Sequence, residues 1–563
     1  MPAKNKYSHL SREQLEAKLE KLERERYGLA WEDKEEDVAK QCETELPVLQ
    51  EDISREIASD PTKPYNFIIE GDNYHSLYTL NFTHKKKIDV IYIDPPYNTG
   101  AKDWKYNNDF VDENDRYRHS KWLSFMNKRL RLAKKLLKQD GVLICAIDDN
   151  ELYALGLLIE IIFGDSYEYH CITIIHNPGG VQGKNFSYTH EYAIFVFPKG
   201  NKVIGLQNRT NNPDIRPLRD VSTGNHLRID AKNCFYPIFI KDTQVIGFGD
   251  VCPDEFHPKS VNESVGDGTI AVYPIDTNGN ERKWVFARQT VEQIKDELKV
   301  KINRKRGIYD IIRVKTHFTY KTVWFDKEYN ANIFGTKLLK KILPDCPFNF
   351  PKSLYNVKDC LYSIVGKRKN ALILDFFAGS GTTGHAVLEL NKEDGGNRRF
   401  ILCTNNENNI CEEVTYPRIK KVIEGYADKA GIPANVKYFK QFFVPGITND
   451  KDKRELVNRS TELLCLAEDT FEISVKRSSK SEFAIFKNAT KQTAIIYDEE
   501  SIEKCVNKLN ATKSPLETVV YVFSYDHTYD EEDFKNLKID FSVKPIPEAI
   551  LNIYHKILKM KKK

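Results

Sequence analysis

One short segment of the chain combines a carboxylate, two prolines and an aromatic ring: Asp94, Pro95, Pro96 and Tyr97, directly after the apolar run at 88–93. Because proline has no N–H to donate to a sheet ladder, a strand formed by that run must end at Asp94 and continue as a stiff turn. A stiff turn keeps a carboxylate and the neighbouring backbone carbonyls in fixed positions. Such acceptors can hold an amino group in one orientation for a reaction, although an ordinary strand-ending turn is an alternative.

A second segment, DFFAGSGTTGHAV at 375–387, is a glycine-rich turn between an apolar strand and a helix. Its glycines let backbone N–H groups approach a ligand closely. A phosphate-binding loop needs lysine where this chain has His385, so that interpretation is excluded. GSGTTG matches the dinucleotide pattern G-x-G-x-x-G, but no acid ends the next strand, FILCTNN. Asp375, ahead of the loop, favours a ligand with an ammonium group, while a dinucleotide site and a plain helix-entry loop stay open.

Apolar strands alternate with helical segments around both motifs, which indicates a parallel α/β sheet. The segments are YNFIIEGDNYHSLYTL (65–80), KIDVIYIDPPY (87–97), SKWLSFMNKRLRLAKKLLKQDG (120–141), GVLICAIDDNELYALGLLIEIIFG (141–164), KNALILDFFAGSGTTGHAVLEL (369–390), RRFILCT (398–404) and EEVTYPRIKKVIEGYADKAG (412–431). The segment 120–141 is predicted to be one amphipathic helix that ends at its glycine. The region from about 200 to 345 interrupts the alternation. The simplest account is one α/β domain in two pieces around an inserted module, with a separate domain after residue 446.

The composition is that of a large multidomain protein: 563 residues, 40% hydrophobic and 29% charged, with a net charge of only +4. Any nucleic-acid surface must therefore come from local basic clusters such as KINRKRG at 301–307. The eleven cysteines show no CxxC pair, which argues against a zinc site or a disulfide framework. No stretch is long and apolar enough to span a membrane, and the N-terminus is too charged for a secretory signal. We expect a cytoplasmic protein without a bound metal.

DPPY together with F-x-G-x-G-x-x-G at 377–384 resembles the motif pair of S-adenosylmethionine-dependent methyltransferases that act on exocyclic amino groups of DNA bases. The acid-first form, DPPY, resembles the adenine-N6 enzymes, and its position before the glycine loop resembles their circularly permuted β group. Between about 65 and 430 the chain also resembles modification subunits of type III restriction–modification systems. The segments that carry this resemblance are EGDN (70–73), IDDNE (147–151), THEYAIFVF (189–197), YKTVWFDKEYNANIFGTK (320–337) and FPKSL (350–354).

The resemblance implies a role for each motif residue. Asp94 and the Pro95 carbonyl would accept hydrogen bonds from the amino group of adenine, Pro96 would stiffen the turn, and Tyr97 would stack on a base flipped out of the duplex. The residues expected to bind S-adenosylmethionine are Asp72, Lys352, Ser353, Asp375, Phe377, Ala378, Gly379, Ser380, Gly381, Thr382 and Asn405. This chain departs from the family after FILCT, where a ribose-binding acid is common, so Asn405 or Glu407 would substitute.

The resemblance also implies an architecture and partners. We expect a doubly wound, mostly parallel α/β sheet of the methyltransferase type, circularly permuted, with an inserted target-recognition domain and a C-terminal α+β domain. The predicted parts are an N-terminal helical segment (1–45), the catalytic half (46–199), the target-recognition domain (200–345), the cofactor half (346–445) and the C-terminal domain (446–563). Double-stranded DNA, a second copy of the chain and a separate helicase-nuclease restriction subunit are the expected partners.

Two alternatives to this function stay open. The chain could be a solitary adenine methyltransferase without a nuclease partner, or it could methylate cytosine N4, since one pocket geometry serves related amines. The recognition sequence, the methylated strand and the stoichiometry cannot be read from these residues.

Overall fold

A computed structural model describes residues 10–24, 29, 31–32, 35–107, 109–183, 185–210, 212–479, 481–511, 516–526 and 528–561. The chain divides into two compact units: unit 1 comprises Met1–Gly205 and Lys321–Lys563, and unit 2 comprises Leu206–Tyr320. Among the described residues, no helix has both the length and the apolar character that a membrane crossing requires.

The first stretch of unit 1 alternates helices with strands. Its elements are α1 (Arg12–Arg24), α2 (Asp37–Thr44), β1 (Glu45–Glu51), β2 (Ile57–Ala58), β3 (Tyr65–Glu70), α3 (Asn73–Thr83), β4 (Ile88–Ile93), β5 (Ala101–Tyr106), β6 (Asp109–Asp112), α4 (Arg118–Lys134), β7 (Leu137–Ile147), α5 (Leu152–Phe163), β8 (Tyr167–Ile175), β9 (Val181–Gln182), β10 (Ser187–Tyr188) and β11 (His190–Pro198).

Unit 2 is built mainly from short antiparallel strands around its own core, which contains the fully buried Trp284. Its elements are β12 (Leu206–Asn208), β13 (Asp214–Pro217), β14 (Ile238–Lys241), β15 (Gln244–Phe248), β16 (Asn262–Gly266), β17 (Thr269–Val272), α6 (Arg288–Val291), β18 (Leu298–Asn303), β19 (Ile308–Lys315) and β20 (His317–Thr319). The first and last of these strands pair with each other, with Leu206 opposite Thr319.

The second stretch of unit 1 returns to the α/β pattern and then continues to the C-terminus. Its elements are β21 (Val323–Phe325), α7 (Leu338–Ile342), α8 (Leu354–Val365), β22 (Leu372–Asp375), α9 (Thr382–Asp394), β23 (Arg399–Thr404), α10 (Tyr416–Glu424), β24 (Gly425–Tyr426), β25 (Lys429–Ala430), β26 (Asn435–Pro445), α11 (Asp450–Asn458), α12 (Thr461–Glu468), β27 (Glu472–Val475), β28 (Phe483–Lys487), β29 (Lys491–Ile496), α13 (Ile502–Ala511), β30 (Glu517–Phe523), β31 (Phe541–Ile546) and α14 (Glu548–Lys561).

One mixed sheet of eleven strands dominates unit 1, in the order β1-β26-β3-β23-β22-β4-β7-β11-β8-β21, with β2 paired to β26. The six strands from β26 to β7 run parallel to one another, and β1 and β11 pair antiparallel at either side. Every residue of β4 is buried, as expected for a parallel strand covered on both faces by helices. The expected α/β architecture with a largely parallel sheet is therefore present.

The sheet brings together two stretches that are far apart in the chain. β4 pairs with β22, Ile91 opposite Leu374, so the turn after β4 and the glycine loop after β22 leave the same edge of the sheet side by side. The carboxyl ends of β3, β23 and β7 lie at this edge as well. Ligands bind at this edge in open parallel sheets.

Three boundaries differ from the sequence predictions. Unit 2 ends at Tyr320 and not at 345, because β21 pairs with β8 of the main sheet. The helix predicted over 120–141 ends at Lys134, because residues from Leu137 onward pair with β4 and Gly141 lies inside β7. The C-terminal region has its own sheet, β27 to β31, but belongs to unit 1, since Tyr554 packs in the same core as β3 and α3.

Candidate active site

The turn after β4 is held rigidly by side chains from outside it. The indole N–H of Trp122 donates to the Pro96 carbonyl at 2.7 Å. Asn98, fully buried and with φ of 57°, accepts from the Trp104 indole at 3.1 Å and donates to Glu151 at 2.5 Å. A left-handed asparagine anchored by two hydrogen bonds fixes the direction of the chain after the two prolines. Asp94 is therefore presented on a stiff support, as its sequence predicts.

A buried lysine joins Asp94 to a second acid. The Lys352 ammonium lies 3.3 Å from Asp94 Oδ1 and also donates to Glu191 Oε2 and to the Tyr97 hydroxyl. Tyr97 in turn donates to Glu191 Oε2 at 3.3 Å, and Asn356 donates to Glu191 Oε1 at 3.2 Å. We call Asp94, Tyr97, Glu191 and Lys352 the Asp94 cluster.

The charges in the Asp94 cluster perturb one another. Burial and the Glu191 carboxylate raise the pKa of Asp94, while the Lys352 ammonium opposes them. Burial would also raise the pKa of Glu191, but the attraction of Lys352 and its hydrogen bonds lower it overall. Glu191 is thus the firmly ionised member, and Asp94 is the more basic carboxylate. The Asp94 side chain is 29% exposed, so a ligand can reach it.

The carboxyl group of Asp375, at the end of β22, has a different environment. It is 2% exposed and accepts from the Thr383 hydroxyl at 2.5 Å and from the Phe377 N–H at 2.9 Å. Burial raises its pKa to about 7, and these two neutral donors only partly offset that effect. Within the part of the chain that the structure describes, no basic side chain forms an ion pair with Asp375. A cationic ligand group would supply the missing charge.

The glycine loop after β22 adopts backbone conformations that need glycine. Gly379 and Gly381 have φ of 49° and 77°, in the left-handed region. A Cβ on Gly384 would lie 2.8 Å from Ile419 Cδ1, so this glycine permits α9 to pack closely against α10. The loop leads into α9, and the first N–H groups of a helix have no hydrogen-bond partner within the helix itself.

A buried arginine supports the same loop from the protein side. Arg418, on α10, is fully buried and donates to the Ser380 hydroxyl at 2.9 Å and to the Thr382 hydroxyl at 2.8 Å. Burial lowers its pKa to about 10. Both hydroxyls accept hydrogen bonds from Arg418. Ser380 and Thr382 therefore hold the glycine loop in its conformation. Ala378 is also buried, and its N–H donates to the Cys403 carbonyl at 3.2 Å, while the Phe377 ring packs on Phe125.

The remaining predicted site residues lie at the same edge in varied roles. Asp72 caps α3 by accepting from the Tyr74 N–H at 2.7 Å, and its side chain is 30% exposed. Ser353 caps α8 and donates to the Glu328 carbonyl at 2.7 Å, so its hydroxyl is used within the protein. Asn405 follows β23 and is exposed. Their assignment to cofactor binding stays a prediction, as does that of Lys352, whose ammonium contacts Asp94.

Two residues of the site were not predicted, Glu191 and Arg418. Glu191 is the one acid in the otherwise apolar strand segment EYAIFVF, and an acid in such a run is a signal for a buried, paired carboxylate. Arg418 sits in a helix of mixed charge, YPRIKKVIE, where nothing distinguishes it from the neighbouring exposed lysines. Only the packing of α10 against the glycine loop identifies it.

Comparison with known proteins agrees with this arrangement. A family model described as DNA methylase matches residues 88–416. The EcoPI Mod subunit of Escherichia phage P1, a type III restriction-modification enzyme, is 29% identical over 408 residues, which cover 64% of this chain and 60% of the relative. The type II methyltransferase M.KpnI of Klebsiella pneumoniae is 33% identical over 346 residues, 60% of this chain and 79% of the relative.

The other Mod subunits are similar over a comparable part. The StyLTI Mod subunit of Salmonella typhimurium is 27% identical over 410 residues, 68% of this chain and 59% of that protein. The chain thus spans about 60% of the length of the Mod subunits it matches. Among solved structures, the cytosine-N4-specific PvuII DNA methyltransferase aligns with 63% of this chain at 11% identity and a TM-score of 0.31, so the family assignment rests on the sequence matches.

Proposed function

Because this chain belongs to the DNA methylase family, we propose that it transfers a methyl group from S-adenosylmethionine to N6 of adenine in double-stranded DNA. The observation that carries the proposal is the pairing of β4 with β22, which sets the Asp94 carboxylate beside the glycine loop. One motif would hold the amine, and the other would hold the methyl donor.

The residues after β22 fit the cofactor of this family, S-adenosylmethionine. The buried Asp375 carboxyl accepts from a hydroxyl and a backbone N–H, both neutral, and would receive the ammonium group of the methionine moiety. The left-handed glycines 379 and 381 let the backbone lie against that moiety without a Cβ in the way. The partly exposed Asp72, after β3, would contact the adenine ring. When bound, the cofactor supplies an electrophilic methyl group on a sulfonium sulfur.

Asp94 would make the exocyclic amine reactive. The lone pair of adenine N6 is delocalised into the ring, so the nitrogen is a poor nucleophile. Asp94 and the Pro95 carbonyl would each accept one N–H of the amino group, turning the lone pair toward the methyl group. The Trp122–Pro96 hydrogen bond keeps these acceptors from shifting. Tyr97, whose hydroxyl is held by Lys352, would stack its ring on the flipped base.

Adenine is favoured over cytosine by the acid at position 94, and the named relatives favour a role in restriction–modification. We infer that the chain is the modification subunit of a type III system, that it acts as a homodimer, and that DNA cleavage needs a separate restriction subunit. The order of β4 and β22 in the chain supports a circularly permuted methyltransferase fold. Residues 446–563 would then be an additional region for contact with partners.

Unit 2 supplies a basic ribbon for DNA contact. β18 pairs with β19 along the whole length of β18, and the turn between the two strands carries Arg304, Lys305 and Arg306, all exposed. Because each phosphate contact releases counterions, replacing these three residues with alanine should weaken DNA binding at all sequences and reduce the salt slope by up to about three. Fluorescence anisotropy at several salt concentrations measures this, with the exposed Lys451→Ala as a control. An unchanged salt slope would contradict the assignment of the ribbon.

The reaction is tested by the identity of the methylated base. The purified chain is incubated with methyl-labelled S-adenosylmethionine and unmethylated bacterial DNA, and the DNA is digested to nucleosides. We expect label in N6-methyladenine. Label in N4-methylcytosine would overturn the choice of base, and a chain that does not bind S-adenosylmethionine would overturn the proposal as a whole.

A further inference from the structure

Glu191 is a charged residue in the interior of the protein. It lies in β11, between β7 and β8, and is 5% exposed. Isolated buried carboxylates are costly and are found with several donors. Here Oε2 accepts hydrogen bonds from Lys352 and Tyr97, and Oε1 accepts one from the Asn356 amide at 3.2 Å. This environment keeps Glu191 ionised.

Lys352 uses all its donor capacity within the Asp94 cluster. An ammonium group has three hydrogens, and the structure gives it three acceptors: Glu191 Oε2, the Tyr97 hydroxyl and Asp94 Oδ1. Glu191 and Tyr97 therefore fix the position of the ammonium group, and the ammonium group restrains one oxygen of Asp94. The Asp94 side chain is 29% exposed, so its carboxylate stays accessible to a ligand.

The charges of the Asp94 cluster do not balance. Two carboxylates and one ammonium sum to a net charge of −1, and this surplus lies where the amine would bind. Replacing a buried ion pair by apolar residues is often neutral or stabilising, so stability alone does not account for a second buried acid at this point. A negative surplus does suit a nitrogen that becomes positive during the reaction.

We propose that Glu191 is a positioning residue for methyl transfer: it anchors Lys352 against Asp94 and supplies the extra negative charge that makes Asp94 the acceptor of the proton lost from N6. This inference rests on the proposed function. As the new N–C bond forms from the nitrogen lone pair, the bond between the methyl group and the sulfonium sulfur breaks and its electron pair stays on sulfur. The sulfonium thus becomes a neutral thioether, and the nitrogen becomes positive. One N–H bond then breaks, its electron pair returns to nitrogen, and the proton passes to Asp94. The cluster thereby changes from a net charge of −1 to neutral.

The net charge around Asp94 also depends on the titratable groups that face Asp94 and Glu191. They come from several elements: Tyr92 on β4, Tyr97 and Lys352, Cys145 on β7, His176 after β8, Cys360 on α8 and Asp375 on β22. Burial raises the pKa of Tyr92 and of both thiols and lowers that of His176, so these four are neutral near pH 7. Of the groups named here, Lys352, Glu191 and Asp375 can act on Asp94 as charges.

The test compares Glu191→Gln with two other variants. Glu191→Gln removes the charge and keeps the shape, Glu191→Asp keeps the charge and withdraws it by one methylene, and Glu393→Gln removes an exposed charge paired with Lys358 at 2.6 Å. For each, methyl transfer is measured as a function of pH. Protonation of Asp94 is measured separately by infrared difference spectroscopy of the carboxyl band, which is identified by its loss in Asp94→Asn.

For Glu191→Gln we expect kcat to fall about 10- to 100-fold while the Kd for S-adenosylmethionine is unchanged. Removing a like charge should move the protonation midpoint of Asp94, and the acid limb of the pH profile, down by about one pH unit. Glu191→Asp should keep the midpoint near that of the parent and lower kcat less. Glu393→Gln should change neither quantity.

Two results would overturn the inference: an Asp94 midpoint that Glu191→Gln leaves in place, or an equal shift in Glu393→Gln. The infrared titration needs no turnover, so it separates this inference from the proposed function. If the Asp94 midpoint shifts in Glu191→Gln but the parent chain methylates no DNA, the role of Glu191 in methyl transfer is overturned. If Glu191→Gln fails to fold, Glu191→Asp decides, because a loss of kcat with unchanged thermal stability is not expected of a purely structural residue.

Discussion

Two carboxyl groups at the ends of neighbouring parallel strands have opposite surroundings. Asp94, after β4, has the Lys352 ammonium 3.3 Å away and the Glu191 carboxylate behind it. Asp375, at the end of β22, has a hydroxyl and a backbone N–H as its donors. Both are buried enough for their pKa to rise, but among the residues that the structure describes only Asp94 has a basic side chain as an ion-pair partner.

This difference indicates which kind of ligand group each carboxyl group is suited to bind. A carboxylate already paired with an ammonium can accept hydrogen bonds from a neutral amine without the cost of an uncompensated charge. A carboxyl group with a pKa of about 7 and neutral partners gains most from a ligand that carries its own positive charge. The first environment suits a base amine, and the second suits the ammonium group of an amino acid moiety.

The largest effect is expected at Asp94. Asp94→Ala removes the acceptor of the amine, and we expect methyl transfer to fall by about 10³-fold, the usual range for such a group. The Kd for S-adenosylmethionine should stay close to that of the parent, because the proposed cofactor site lies after β22 and not at Asp94. Nucleoside analysis and isothermal titration calorimetry measure the two quantities. A large loss of cofactor binding would remove the distinction between the two carboxyl groups.

Asp375→Asn should have the opposite profile. Its amide still accepts a hydrogen bond but has no charge, and a hydrogen bond to a charged group contributes about 1.5–3 kcal/mol. We expect the Kd for S-adenosylmethionine to rise about 10- to 100-fold, with kcat at saturating cofactor near the parent value. Calorimetry and saturation kinetics test this. Loss of kcat with an unchanged Kd would assign Asp375 to the chemical step and contradict the comparison.

Cofactor binding by the parent chain should depend on pH through Asp375. Its pKa of about 7 applies to the free protein, and an ammonium group binds the ionised form, so the Kd should rise as the pH falls below 7 and stay constant just above it. The rise should approach about tenfold per pH unit. Calorimetry from pH 5.5 to 8.5 would show it, and Asp375→Asn should remove it. A Kd that is flat with pH in the parent would place the ammonium group elsewhere.

The smallest effect is expected at the hydroxyl that supports Asp375. Thr383→Val deletes the 2.5 Å hydrogen bond with little change of shape, which should raise the pKa of Asp375 further. Cofactor binding at pH 7 should weaken a few-fold, about the effect of one hydrogen bond, and the difference should shrink at pH 8.5. Thr493→Val, a buried threonine of the C-terminal sheet, is the matched control. An equal loss in both variants would indicate general destabilisation.

The sequence was sufficient for the motifs and the sheet but not for the connections between them. Two prolines after an apolar run predict a stiff acceptor turn from local chemistry, and alternating apolar runs predict a parallel sheet. The contact of Lys352 with Asp94 depends on how α8 packs beneath β4, which no local pattern records. Glu191 carries a signal in its apolar strand, but its partners come from two distant stretches of chain, Tyr97 from one and Lys352 and Asn356 from the other.

The domain limits show the same division between local and long-range information. A loss of α/β alternation predicts an insert, and the structure has a separate unit there. That unit ends at Tyr320, earlier than the predicted 345, because Val323–Phe325 pairs with β8. This strand is too short and too mixed in character for the pairing to be visible in the sequence. The end of α4 was misplaced because a glycine, Gly141, indicated a helix stop although it lies in a strand.

The pairing of β4 with β22 imposes an order on synthesis. The stretch that contains Asp94 leaves the ribosome long before its neighbour in the sheet exists, so we expect the nascent chain to bind no cofactor until β23 has been made. Closing so long a loop costs entropy that grows with the logarithm of its length. Unit 2 reduces that cost, because its first and last strands pair, Leu206 opposite Thr319, and its core can form first. Once unit 2 has folded, its two ends are held together. Its more than one hundred residues then add little to the length of the loop that must close between β4 and β22.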